Sequence, residues 1–531
     1  MPAPAAFVPF RNPAFRLLWV GTLVSNIGGW VQSTGAGWLM TSLSPSPVMV
    51  SLVQAASLLP VFLLALPAGA LADIMDRRRF LLITQFWILG CALLLCVLTA
   101  AGLLGPWGLL ALTFCIGIGA AANFPAFGAT TPELVVREDL VQAIVLNAMG
   151  FNLARAIGPA LGGLVLGWAG AELAFALNAA CFLYLITALF LWKRTLQPVT
   201  MPREKLLDAM ESGVRFVLAS PVMRGIIIRA ALPHFAGSAV WGLLPLVVRF
   251  RLGLGPSAFG LMLGAMGVGA VVAGFFLPAL RNRLSRSGTV VFCSCGVGLS
   301  MILLAMSTHW APAGLAMLLY GASWLGMTST LSASAQLAAR PWVRARAIGL
   351  YQVATFGSLA LGSTLGGVGG SLIGLPETLA AFGVASIVLS VLVRRLPLDA
   401  APVAPPFAPA HPEPVPEAPA AELLPLLQGD EARLLESVRY AVPPASREAF
   451  LATMAEVRGV RLRAGAIVWR LYEDVAHPER YVELWAVRSW TDHLREQSRL
   501  SDGDHAVLAA AAAFQQEGTA AQAERFVQLP V

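Results

Sequence analysis

The sequence predicts an all-α membrane protein of twelve transmembrane helices in two six-helix pseudo-symmetric bundles, followed by a C-terminal cytosolic α+β domain of ferredoxin-like plan. Three observations carry this reading. Of the 531 residues, 57% are hydrophobic and only 12% charged, about half the charge content of soluble domains. Apolar runs of about twenty residues, enough to cross a hydrocarbon core of roughly 30 Å as helix, recur from Leu17 to Arg394. Sliding the chain on itself by 204 positions lays Arg77 and Arg79 on Arg281 and Arg283, and Gly158, Gly162 and Gly163 on Gly362, Gly366 and Gly367. A parallel repeat of this kind belongs to a pseudo-twofold axis along the membrane normal.

Residues 1–192 hold the first bundle, 193–222 a polar inter-bundle segment, and 223–396 the second bundle. The first apolar run is too long and too rich in Gly and Trp for a cleavable signal, and a second span follows closely. Lys and Arg crowd alternate loops, among them Arg77–Arg79, Lys193–Lys205, Arg281–Arg286 and Arg340–Arg346, whereas the opposite loops hold only Arg249 and Arg251. That bias places both termini in the cytoplasm of a bacterial inner membrane. The net charge of +7 therefore reflects topology in a lipid bilayer, with no nucleic acid as partner. Cys91, Cys96, Cys115, Cys181, Cys293 and Cys295 all fall within predicted spans and lack metal-ligand spacing with His, so the sequence points to no cofactor and no metal.

After Arg395 prolines dominate, and 397–433 reads as a stiff linker. From 434 to 531 the chain turns acidic and soluble in character. Strands are expected at 437–442, 466–472, 481–487 and 524–529, and helices at 447–458 and 490–516. The order strand, helix, strand, strand, helix, strand is the ferredoxin-like plan.

At the end of the second span stands Gly69-Ala70-Leu71-Ala72-Asp73-Ile74-Met75-Asp76-Arg77-Arg78-Arg79. It resembles the loop signature of the major facilitator superfamily, with Gly69, Leu71, Asp73, Arg77 and Arg78 at matching places. Ile74 stands where that signature has a basic residue and Asp76 where it has glycine. Physically, Asp73 suits a charge latch that pairs in one conformation and releases in another; the arginines also suit a plain inside anchor. In the fifth span, Gly158-Pro159-Ala160-Leu161-Gly162-Gly163 resembles the superfamily's antiporter signature. Pro159 removes a backbone hydrogen bond, and the glycines give a flat surface for a seam that opens or for static packing. Arg155, one turn earlier, is placed to hold an anion, pair with Glu133 or Asp73, or anchor the helix end.

Thr131-Pro132-Glu133-Leu134 and the following Ala143, Asn147 and Asn152 narrow the likeness to the enterobactin-exporter-like branch, the transmembrane secretion effectors. The resemblance implies export of a siderophore, drug or other metabolite by alternating access, driven by protons. It also implies a path between the halves lined by spans one, four, seven and ten. Asn26, Trp30, Gln32, Asn123, His234, Trp241, Trp324 and Gln336 lie on those spans, while Trp19 and Trp38 read as interface anchors. No Asp or Glu stands in the middle of a span, so proton coupling falls to Asp73, Glu133 or His234 near Arg229. The tail resembles antibiotic-biosynthesis-monooxygenase-like domains, which implies a homodimer through its sheet; His493 and Trp490 could line a pocket, but nothing fixes a reaction, so a dimerisation or regulatory module is expected over an enzyme. The alternative to a transporter is a membrane sensor or scaffold that signals through the tail.

Overall fold

A computed structural model describes residues 5–192, 206–340, 343–398, 419–423, 427, 433–516 and 522–529. Most of the linker expected at 397–433 lies outside these residues. The chain forms two compact units, one of residues 1–206, 225–336 and 348–398, the other of 207–224, 337–347 and 399–531.

The first unit is helical. Its helices are α1 (Pro13–Leu43), α2 (Pro47–Ile74), α3 (Arg77–Ala100), α4 (Pro106–Leu134), α5 (Leu140–Leu191), α7 (Pro221–Gly237), α8 (Ala239–Leu246), α9 (Pro256–Arg283), α10 (Arg286–Met306), α11 (Trp310–Ala338), α12 (Arg344–Leu372) and α13 (Leu375–Leu392); α6 (Leu206–Ala219) lies mainly in the second unit. Proline opens α1, α2, α4 and α9, where a missing N–H costs nothing and φ is already helical. Asp76 and Ser285 cap α3 and α10 by accepting from Arg79 N and Gly288 N. Among the described residues, eight stretches are long and apolar enough to cross a membrane. The longest, Gln142–Leu191, is broken at Gly170, whose φ of 80° ends one helix and starts another.

In the second unit, β1 (Leu434–Ala441), β2 (Val468–Glu473), β3 (Arg480–Val487) and β4 (Gln522–Val527) form a sheet ordered β2-β3-β1-β4 with all neighbours antiparallel. The helices α14 (Arg447–Ala464), α15 (Trp490–Arg499) and α16 (Asp502–Ala512) accompany it. The helix expected over 490–516 is thus two, because Ser501 caps a new one in a reciprocal capping box with Asp504. Alternate residues of β3, Tyr481, Trp485 and Val487, join Phe450, Met454, Val457 and Val460 of α14 in the core.

Residues 337–347 belong to this unit through a buried carboxylate. Asp504 accepts from Arg340 Nη2 at 2.7 Å, Ser501 Oγ at 2.6 Å and Arg463 Nη2 at 3.3 Å. Burial pushes its pKa up, but the hydrogen bonds from Arg340 and Ser501 outweigh burial and hold it at about 2. Glu211 of α6 pairs with Arg488 in the same unit.

Candidate functional site

The first unit contains the candidate site, at the junction of the two repeated halves. Its geometry starts with glycine. A Cβ on Gly163 of α5 would overlap the Cα of Gly260 on α9 and sit 3.1 Å from Pro256 O. Along the same contact, Gly167 faces Ser257, and Gly264 and Gly267 face Ala160 and Ala156. This is a small-residue seam that lets two backbones touch. The repeat supplies its counterpart: a Cβ on Gly367 of α12 would lie 2.7 Å from Ser51 Cβ and 2.9 Å from Pro47 O on α2. Each half thus offers the fifth-helix glycine to the proline-started helix of the other. Gly158 and Gly162 serve a different contact, meeting Trp30 and Val31 of α1.

Other contacts across the halves cluster at the same end of the helices. Arg249 Nη1 donates to Thr41 Oγ1 at 2.8 Å and Ser42 Oγ at 2.7 Å, and its guanidinium lies 5.8 Å from the ring of Trp38. Trp38 in turn stacks on Phe259 at 5.8 Å, and Ser363 Oγ donates to Ser51 O at 3.2 Å. This end is sealed. Trp38, expected as an interface anchor, is part of the seal; Trp19 donates to Leu146 O at 3.0 Å and so ties α1 to α5.

At the opposite end several polar contacts of the described residues stay within one half. Arg77 Nη1 meets Glu133 Oε1 at 2.5 Å, and Arg78 donates to Leu189 O at 2.9 Å and Phe190 O at 2.7 Å. Arg281 donates to Ser329 Oγ at 3.1 Å and Thr330 Oγ1 at 2.9 Å. Asp76 caps its helix, and Leu71 is exposed. The side chain of Asp73, to which the latch was assigned, lies outside the described residues, and nothing is described around Gly69.

Just inside the seal, aromatic rings run from one half into the other. Trp30 of α1 lies 6.1 Å from Trp241 of α8, which lies 6.3 Å from Trp324 of α11. Trp324 meets the edge of His234 at 5.0 Å and stacks on Tyr320 at 5.5 Å. The helix break between α7 and α8 makes room for this row. Trp324 presses on Gly237, Trp241 N donates back to Ser238 O at 3.0 Å, and Tyr320 Oη donates to Gly237 O at 3.0 Å. A cavity of about 30 Å³ sits between the halves, lined by Trp30, Thr34, Gln54, Trp241 and Phe259 among others.

The remaining predicted residues separate. Gln32 is buried and accepts from Asn178, while Asn123 accepts from Thr84 Oγ1 at 2.7 Å. Arg155 donates to Asn152 Oδ1 at 2.8 Å, and Glu133 is taken by Arg77. Asn26 is half-buried, and Gln336 is exposed near the end of α11. Arg229, expected beside His234, instead turns its fully buried guanidinium to Ser287 Oγ at 2.8 Å and to the carbonyls of Arg394 and Leu396 at 3.2 and 3.1 Å. His234 Nδ1 bonds to Ala230 O at 2.7 Å. Sequence reasoning missed Gly260, Gly264, Gly267 and Ser51, although the glycine spacing after Pro256 is a helical small-residue stripe in plain view.

The enterobactin exporter EntS of Escherichia coli strain UTI89 is 27% identical over 329 residues, 60% of this chain and 76% of its own. The same exporter from Salmonella typhi is 27% identical over 330 residues, with the same shares. Among solved structures, a bacterial homologue of the human lysosomal transporter Spinster, inward-facing and unoccupied, superposes with a TM-score of 0.61 at 14% identity, covering 74% of this chain and 99% of that one. A POT family transporter in complex with 5-aminolevulinic acid gives 0.59 at 13% identity, covering 72% and 95%. The sequence pattern of the transmembrane secretion effectors matches residues 4–530. The chain therefore belongs to the transmembrane secretion effector family of major facilitator transporters.

Proposed function

We propose that the chain exports an amphipathic, aromatic metabolite of the siderophore or drug class across the inner membrane, by alternating access coupled to proton influx. The observation that carries this reading is the row Trp30, Trp241 and Trp324, which bridges the two halves directly beneath a sealed end. Flat rings with few fixed charges bind large, partly apolar ligands by stacking and burial. Counting α5 as two about Gly170 and α7 with α8 as one supports twelve spans, and the basic loops favour termini inside. The sealed end faces outward, and the seams of Gly163 and Gly367 open when the halves rock.

In this reading the proton-carrying candidates are His234, Glu133 and Asp73. His234 touches Trp324, so a proton arriving there changes the surface on which substrate stacks. Arg155 and Asn123 supply polar contacts on α5 and α4. That the matched relatives are named for enterobactin favours a siderophore as cargo.

Uptake of aromatic siderophores and dyes into everted vesicles tests the proposal. Accumulation should need an acid-inside gradient, fall about tenfold in Trp241→Ala, and lose its gradient dependence in His234→Gln. Equal accumulation with the gradient collapsed would remove proton coupling, and no flux of any aromatic compound would move the weight to a sensor.

A further inference from the structure

The second unit carries a buried constellation with no part in the transport path. Glu436 on β1 and His493 and Glu496 on α15 are each about nineteen-twentieths buried, at 5%, 3% and 3% exposure. One ligand atom from each lies within 4.8 Å of the others. His493 and Glu496 are three residues apart and share a helix face, and β1 supplies the third group from the sheet. His493 Nδ1 lies 2.6 Å from Glu436 Oε1.

Two features set this cluster apart from an ordinary polar core. The first is an orphan atom. Glu496 Oε2 accepts from Trp485 Nε1 at 3.2 Å, but Glu496 Oε1 is buried without a hydrogen-bond partner, with Arg461 Nη1 at 3.9 Å. Neighbouring Glu483 shows what satisfaction looks like: it accepts from Arg461 Nε at 3.1 Å, Trp469 Nε1 at 2.9 Å and Tyr440 Oη at 3.0 Å. An unsatisfied buried carboxylate oxygen is costly and calls for a ligand. The second feature is charge. Three carboxyl groups, Glu436, Glu483 and Glu496, share two guanidiniums, Arg461 and Arg525, and the imidazole of His493. Arg461 is committed to Glu483 and stacked 3.7 Å over Trp485, and Arg525 Nε stands 3.7 Å from Glu436 Oε2.

We propose that Glu436, His493 and Glu496 bind a divalent first-row transition-metal ion. One imidazole and two carboxylates suit ions from Mn²⁺ to Zn²⁺ and disfavour Mg²⁺ and Ca²⁺, which take oxygen alone. Ligands about 2.1 Å from one ion stand roughly 3.4 Å apart in a tetrahedron and at most about 4.2 Å when opposite, so the set, whose atoms lie within 4.8 Å of one another, closes with a shift of about 0.6 to 1.4 Å. A cavity of about 80 Å³ bordered by the three ligands gives space for water to complete the coordination. Trp485 on Glu496, Arg525 near Glu436 and the ring of Trp490, 5.1 Å from His493, orient the ligands from behind. The ion bridges β1 to α15, and Arg488, two residues before α15, pairs with Glu211. The tail therefore has a route by which metal supply reaches the segment that leads into α7.

The test uses the full chain in detergent, stripped with chelator and titrated with Zn²⁺ or Mg²⁺ alone under native mass spectrometry and calorimetry. One Zn²⁺ per chain at micromolar affinity or better, with no Mg²⁺ bound, is expected. Glu436→Gln and His493→Ala should each weaken Zn²⁺ at least tenfold, and Glu496→Gln should do so while melting like wild type without metal. Binding unchanged in these variants, or no Zn²⁺ bound by wild type, overturns the proposal. Pulsed paramagnetic resonance of Mn²⁺-loaded wild type needs no variant: coupling to one imidazole nitrogen supports the site, and its absence refutes it.

Discussion

The two halves repeat one backbone plan but solve the same problems with different side chains. In each, the fifth-helix glycine meets the first turns of a proline-started helix from the other half. Gly163 finds the bare backbone of Gly260, whereas Gly367 finds the side chain of Ser51. In each, an arginine supplies donors to the carbonyls that end the sixth helix. Arg78 does this in the first half, but its repeat position holds Asn282, and buried Arg229 does the work in the second. Arg340, which binds Asp504, falls on exposed Val136 in the first half, so only one half has its loop built into the second unit. What duplication preserved is where backbones touch and helices end; which residue meets each need drifted.

The largest effect expected from this asymmetry is at Gly163. Valine there collides with the α9 backbone at Gly260 and Pro256, which cannot yield, so flux in everted vesicles should drop to that of vesicles lacking the protein. Next comes Arg229→Ala, which strips donors from buried carbonyls and should destabilise by about 3 kcal/mol, against about 1 kcal/mol for the more exposed Arg78→Ala. Melting in detergent separates the two, and equal losses would erase the distinction between the caps.

The loop asymmetry is read through pH. Asp504 is held at about 2, below the usual carboxylate range, so its contribution to stability is present above about pH 4 and lost as pH falls toward its folded value. Asp504→Asn should cost about 2 kcal/mol at neutral pH, the deficit shrinking on acidification, and Arg340→Ala should reproduce it. The smallest effect is Gly367→Ala, about 1 kcal/mol with a modest loss of flux. Removing the opposing Cβ in Ser51→Gly should restore it; no rescue would mean that the second seam is not limited by that contact.

The helical character of the first unit and the glycine run around Gly163 were legible in the sequence, because hydropathy and small residues at fixed spacing act locally. The order of strands in the tail was readable for the same reason. What escaped depends on distant partners. Arg229 reads as a charge near His234 by sequence distance, yet a long side chain reaches the end of another helix instead. Gly260 gained its meaning only when Gly163 was set against it. Glu436 lies 57 residues from His493, so no spacing rule joins them, although His493 and Glu496 stand one turn apart in plain sight.

The measurement that bears most directly on alternating access is a pair of spin-label distances in a cysteine-free background. One pair, Pro45→Cys with Leu254→Cys, spans the sealed end; the other, Met75→Cys with Asn282→Cys, spans the opposite end. With an aromatic substrate and a proton gradient applied, the first distance should lengthen while the second shortens, and Gly163→Val should lock the first long without either. Distances that stay fixed, or that lengthen and shorten together, would contradict a transporter that opens one end as it closes the other.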